Sequence, residues 1–189
     1  MQVVKIEVEK MPHYVGQSLA QLGAAYSGSA VKKGFNEYGL DWLGVSGWGF
    51  NAVRAYVKLT ISGMDAVARG GKEIGAIMEY AFRPSKPSNE RVESEWVYTK
   101  AGLFKKEVSG IRWKNGPLAN KLNNEPTLQQ ILLLMKGILD KVYVVEGEVR
   151  FRFNTLVERK GMLSTKRLLY CLLPSRELFE AAEIICKSL

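Results

Sequence analysis

The 189 residues are 47% apolar, 10% aromatic and 24% charged, a balance that can bury a real core and excludes a disordered chain. The formal charge of +8 is uneven: residues 96–176 hold 15 Lys and Arg against 6 Asp and Glu, whereas residues 1–95 hold 11 against 10. The opening MQVVKIEVEK lacks the basic-then-apolar layout of a secretory leader, and the uncharged run Met11 to Val31 is broken by Gly, Ser, Gln and Pro, so a cytoplasmic chain without a membrane-spanning helix is expected.

Residues 2–9 alternate Val4, Ile6 and Val8 against Val3, Lys5 and Glu7, which predicts a half-buried first strand. Over 13–33, Val15, Leu19, Leu22 and Tyr26 fall on one helical stripe. Gly16, Ala20, Gly23, Ala24 and Ser27 beside them are small enough for a helix to lie close on a sheet. Gly34 to Phe50 is interrupted by five glycines and reads as loop and turn, with Phe35, Tyr38, Trp42, Trp48 and Phe50 plugging a core edge or walling a ligand pocket.

Val53 to Ile61 gives the cleanest alternation in the chain, with Val53, Ala55, Val57, Leu59 and Ile61 on one side. A short helical turn is expected at 64–69, broken by Gly70-Gly71. Ile74, Ala76, Met78, Tyr80 and Phe82 then mark another strand. The loop RPSKPSNE at 83–90 is where a boundary would fall. One α+β domain over 1–189 is favoured, with an N-terminal subdomain 1–83 and a basic subdomain 91–189 as the alternative. Residues 92–99 and 103–113 form a hairpin around Lys100-Ala101-Gly102, stopped by Asn115-Gly116-Pro117.

Leu118 to Leu139 is expected as two helices divided near Pro126, because proline suits the first turn of a helix and not its interior. Lys141 to Asn154 is a hairpin turning at Glu146-Gly147, Lys166 to Leu173 a further strand, and Pro174-Ser175 introduces a closing helix with Leu178, Phe179, Ala182, Ile185 and Leu189 inward. This order defines an α+β chain: a predominantly antiparallel sheet packed against helices, with a long C-terminal helix.

Little in the chain suggests catalysis. His13 is the only histidine, Gly70-Gly71-Lys72 lacks the rest of a phosphate-binding loop, and the carboxylate pairs Glu93/Glu95 and Glu146/Glu148 have no His or Asp beside them. Cys171 and Cys186 sit in apolar surroundings and read as small buried hydrophobes. No catalytic residue, metal or cofactor is expected.

The basic surplus becomes specific in the hairpin. A turn at Glu146-Gly147 sets Val144 opposite Val149 and Val142 opposite Phe151, so the other face shows Lys141, Tyr143, Arg150 and Arg152 together. A tyrosine among cations can stack a base while the cations meet phosphates. Lys105, Lys106, Arg112, Lys114, Arg159, Lys160, Lys166 and Arg167 extend this patch if they share its side. Lys and Arg are also ordinary choices for the wet face of an antiparallel sheet.

The expected function is therefore non-enzymatic binding of nucleic acid or another polyanion, or of an acidic partner, through Lys141, Tyr143, Arg150 and Arg152. An early helix after the first strand and a long final helix after antiparallel strands are similar, in element order, to the helix-grip arrangement of START and Bet v1-like ligand carriers. The helices at 118–139 depart from it and no sequence motif is shared. That resemblance implies the alternative function: carriage of an apolar small molecule in a pocket between sheet and helix, lined by Trp42, Trp48, Phe50, Tyr80 and Phe82. A self-assembling structural subunit, with a homo-oligomer as its product, is the third possibility.

Overall fold

Alternating apolar residues build most of this molecule. The computed structural model describes residues 1–28, 31–34, 36–60, 73–86, 88–100, 106–159 and 166–189, apart from the side chains of 31–33, 73, 74 and 159. Strand β1 (Gln2–Glu7) passes through a single tight turn at Val8–Lys10 into α1 (Met11–Gln21), with Pro12 in the first turn where no intrahelical N–H is needed.

Helix α1 ends well before the stripe over 13–33 suggests. Gly23 adopts a φ of +96°, and the Trp48 indole Nε1 donates to the Leu22 carbonyl at 2.9 Å, which ties down the helix end. Tyr26, beyond the helix, lies over Gly16, where a Cβ would come within 2.4 Å of its ring.

The sheet continues with β2 (Val31–Gly34), β3 (Glu37–Gly44), β4 (Phe50–Thr60) and β5 (Glu73–Pro84). Strand β3 corrects the loop expected over 34–50. Tyr38, Leu40 and Leu43 are buried along it, and it pairs with β4. Its Gly39 serves close approach rather than a turn, since a Cβ there would stand 2.8 Å from Cβ of Tyr56 on the neighbouring strand. The expected helical turn at 64–69, the break at Gly70-Gly71 and the hairpin tip at Ala101-Gly102 lie outside the described residues.

After the loop come β6 (Val92–Lys100), β7 (Lys106–Lys114), α2 (Pro117–Asn123) and α3 (Pro126–Leu134), the two helices dividing at Pro126 as expected. Strands β8 (Leu139–Val145), β9 (Glu148–Arg159) and β10 (Arg167–Leu173) lead to α4 (Arg176–Ser188), capped by Ser175, whose hydroxyl accepts from the Leu178 N–H. No described helix is long and apolar enough to cross a membrane.

Every described strand pairing is antiparallel, and the sheet runs β2-β3-β4-β5-β9-β8-β6-β7, with β10 paired to β9 and β1 to β10. Strand β9 organises this path. One edge pairs with β5 from Val149 to Glu158, while the other pairs with β8 near the turn and with β10 at Val157–Arg159. The loop at 83–90 therefore divides no sheet, because strands before and after it are hydrogen-bonded neighbours. Without residues 85–147 the path is β1-β10-β9-β5-β4-β3-β2.

The buried face of the sheet carries Val53, Ala55, Val57, Met78, Tyr80, Phe82, Phe151 and Phe153, against which α4 sets Leu178, Phe179, Ala182 and Ile185. Each of the Val, Leu, Ile, Met and Phe side chains among them contributes about 1.5–3 kcal/mol by leaving water. The Tyr80 hydroxyl donates to the Leu172 carbonyl at 2.6 Å, joining β5 to β10 through the interior, and burial holds that hydroxyl well above the usual phenol range, so it stays a donor.

Cys171 and Cys186 are free and buried, and burial pushes both thiols up to about 12. Native protein at pH 8 is expected to react with a thiol reagent such as DTNB about a thousandfold more slowly than a free cysteine, and both thiols should react freely in urea. A fast native phase would place one of them at the surface.

Candidate functional site

The hairpin register is the expected one: Val144 faces Val149, Val142 faces Phe151, Tyr143 faces Arg150, and Lys141 faces Arg152. It is fixed by the turn, where Glu146 and Gly147 take φ values of 54° and 73°, the pair of left-handed conformations a two-residue hairpin loop demands. Lys141, Tyr143, Arg150 and Arg152 thus share the face opposite α4, which no described helix covers. Arg112 and Lys114 extend that face across β7.

A carboxylate that sequence reasoning passed over lies beneath these cations. Glu79 of β5 is 0% exposed although it belongs to the polar face. It accepts hydrogen bonds from the Tyr143 hydroxyl at 2.5 Å and the Tyr56 hydroxyl at 2.7 Å, and faces Arg152 Nε at 3.5 Å and an Arg150 Nη at 3.9 Å. Burial, and then the bond to Glu79, raise both tyrosines above the ordinary phenol range, so both remain protonated donors. Cross-strand pairing explains the gathering, since Tyr56, Glu79 and Arg152 are direct neighbours on β4, β5 and β9.

A second carboxylate repeats the pattern one row away. Glu148 receives Arg54 at 3.0 Å and Arg150 at 2.8 Å, closing two guanidinium groups over Ala81, which stands between them in the register and is 0% exposed. Lys141 reaches Glu93 at 3.6 Å, and Arg112 and Lys114 both bind Glu95. The cations expected to form a bare basic patch are thus set in a lattice of carboxylates.

The wider surplus scatters. Lys166 and Arg167 bind Glu7 and Glu9, each at 3.4 Å, beside β1. Lys106 faces Lys100 at the outer end of the β6–β7 hairpin. Lys105 and Lys160, and the side chain of Arg159, lie outside the described residues.

Two arginines on the helix-free face differ. Arg83 and Arg91 are exposed and make no ion pair with a described carboxylate. The Arg83 guanidinium lies 4.2 Å from the Trp42 ring centre, and Arg54 lies 4.8 Å from it. Arg83 also lines a cleft of about 360 Å³ with Asn51, Ser85, Ser88, Asn89 and Glu146, while Arg91 lines one of about 280 Å³ with Glu93, Asn115 and Tyr143.

The residues expected to wall an apolar pocket divide between the two faces. Trp42 stays on the polar face with its arginines. Trp48, Phe50 and Phe82 pack in the core with Phe179 of α4, at ring-centre separations of 4.8 Å for Phe50 and Phe82 and 5.3 Å from each to Phe179. Trp48 stacks on Phe50 at 6.0 Å, and Tyr80 meets Phe153 edge-on at 6.2 Å. Rings this close touch, so protein atoms fill the space among them.

His13 stands exposed on α1, and described His, Cys, Asp and Glu side chains do not gather in threes as a metal centre needs. Comparison with family models, curated proteins and solved structures finds no match to this chain.

Proposed function

We propose that this chain is a non-enzymatic binding protein that takes single-stranded nucleic acid across the helix-free face of its sheet. The observation that carries the proposal is one row of side chains. Arg54, Ala81, Arg150 and Tyr143 are successive cross-strand neighbours, and Trp42 adjoins Arg54 at its end, so two aromatic rings flanked by guanidinium groups stand about four strand spacings, ~19 Å, apart. A base stacked on such a ring gains about 1–3 kcal/mol whatever its sequence. The free thiols accord with action in a reducing compartment such as the cytoplasm.

The paired carboxylates set the character of the binding. Cations already facing Glu79, Glu93 and Glu148 have little charge to exchange for a phosphate, so stacking outweighs counterion release. A labelled oligouridylate is expected to bind at micromolar affinity, with log K falling against log salt by less than about 2 between about 50 and 200 mM. Absence of an anisotropy change at the lower salt overturns the proposal. Binding of heparin or an acidic peptide without binding of oligonucleotide moves the face to another acidic partner.

A second reading has its own support. The path β1-β10-β9-β5-β4-β3-β2, with α1 after the first strand and α4 laid on the sheet, keeps the element order of the helix-grip carriers once β6 to β8 are counted as an insertion. An apolar ligand would then have to displace Phe179. A rise in melting temperature with a medium-chain fatty acid would favour it, and an unchanged melt argues against it.

A further inference from the structure

Resting on that binding reading, we infer that the strand is held by two phosphates, one at Arg83 and one at Arg91, and not by Lys141, Arg150 and Arg152. Those three cations have their carboxylates, at 3.6, 2.8 and 3.5 Å from Glu93, Glu148 and Glu79, so a phosphate there must compete with a charge already in place. Arg83 and Arg91 make no such pair with a described carboxylate, and Glu148, the nearest in the register to Arg83, is already held by Arg54 and Arg150.

Their placement is matched. Arg83 follows the Phe82–Val149 pair and so stands beside Glu148; Glu148 pairs with Val145; Arg91 precedes the Val92–Val144 pair and so stands beside Val145. The two arginines therefore end one row on the same face, three strand spacings apart. That is about 14 Å, roughly two backbone repeats of an extended single strand.

Each arginine also opens on a cleft of mixed lining that holds amide donors to spare. Asn51 and Asn89 line the cleft of Arg83, and Asn115 that of Arg91, and none of these amide side chains bonds to a described residue. The carboxylates in the same clefts are engaged elsewhere, Glu146 by Arg150 and Glu93 by Lys141, each at 3.6 Å. Each cleft thus offers one guanidinium without an ion pair beside neutral amide donors, a set that can meet a phosphate oxygen. An aromatic ring adjoins each: Trp42 beside Arg83, and Tyr143 in the cleft of Arg91.

The test uses the full chain and labelled oligouridylates two, three and six nucleotides long, each carrying a 5′-phosphate, so that the first and third phosphates of the trinucleotide stand two backbone repeats apart. The dinucleotide cannot span both arginines and is expected to bind several-fold more weakly than the trinucleotide, with little further gain at six. Arg83→Gln and Arg91→Gln should each weaken the hexanucleotide several-fold and lower its salt slope by about 0.7, the share of one phosphate on a single strand. Arg176→Gln, on α4 and paired with Glu180, should leave both values unchanged. If the hexanucleotide binds but both variants keep the parent slope, the assignment of phosphates to Arg83 and Arg91 fails while the binding reading stands. If no oligonucleotide binds the parent chain, both fail.

Discussion

Phe179→Ala is expected to destabilise the protein by about 3–5 kcal/mol, read as a lower urea midpoint at unchanged slope, with a fall of roughly 6–20 °C in melting temperature. Phe179 is the contact through which α4 holds the sheet: fully buried, its ring touches those of Trp48, Phe50 and Phe82 at centre separations of 5.2, 5.3 and 5.3 Å. Removing it opens a void beneath aromatic rings on β4 and β5 that cannot collapse without bending the strands. Phe179→Leu keeps most of the volume and should cost less than half as much. The same variant separates the two functional readings, since a carrier would gain affinity for an apolar dye in the enlarged space while oligonucleotide binding on the far face stays as it was. A loss below about 1 kcal/mol would mean that α4 does not pack as described.

Glu79→Ala is expected to cost a further comparable amount, about 3–5 kcal/mol, by a different mechanism. The carboxylate is the common acceptor for Tyr56 and Tyr143 and the counter-charge facing Arg150 and Arg152. Without it, two half-buried hydroxyls lose their acceptor and the Arg152 guanidinium loses its carboxylate, while Arg150 keeps Glu148. Glu79→Gln keeps an acceptor and removes the charge, so it should cost about 1–3 kcal/mol. In the binding assay the alanine variant frees Arg152, while Arg150 keeps Glu148, and should steepen the salt slope. Near-wild-type stability for both variants would show that the cluster is ordinary surface.

Much of this fold was open to inspection along the chain because the governing patterns are local. Val53 to Ile61 alternates without exception, Pro126 divides the helices, and Ser175 caps the last one. The hairpin register followed from a single requirement, that both strands put their apolar residues on one side of a turn whose position Glu146-Gly147 fixed. Strand β3 escaped because its glycines resemble turn signals. The reason for Gly39 lies in Tyr56, on the next strand, where close approach leaves no room for a Cβ. Helix α1 is shorter than its apolar stripe over 13–33 because the contact that ends it, from Trp48 to Leu22, comes from a later loop.

The candidate site was legible in its residues and not in its electrostatics. Lys141, Tyr143, Arg150 and Arg152 stand together as the hairpin required. Glu79, read alone, is one polar position in an alternating strand. Its role exists only because β4, β9 and β8 bring Tyr56, Arg152 and Tyr143 around it, and those neighbours are set by pairings across long stretches of chain. The same holds for Arg83 and Arg91, which nothing in their local sequence distinguishes from the arginines that are paired.

The outer margin of the sheet has a consequence for solubility. Among the described strands β7 pairs only with β6, so its other side presents N–H and C=O groups that no described strand pairs, the template on which copies of a chain aggregate. Asn123 occupies one such position by accepting from the Trp113 N–H at 2.8 Å and donating to its carbonyl at 3.1 Å. Farther out, Lys106 faces Lys100 across the hairpin. An identical strand approaching this margin meets like charge before it can form a hydrogen bond. The guard is electrostatic and therefore screened by salt, so the chain stays dispersed most readily at low ionic strength.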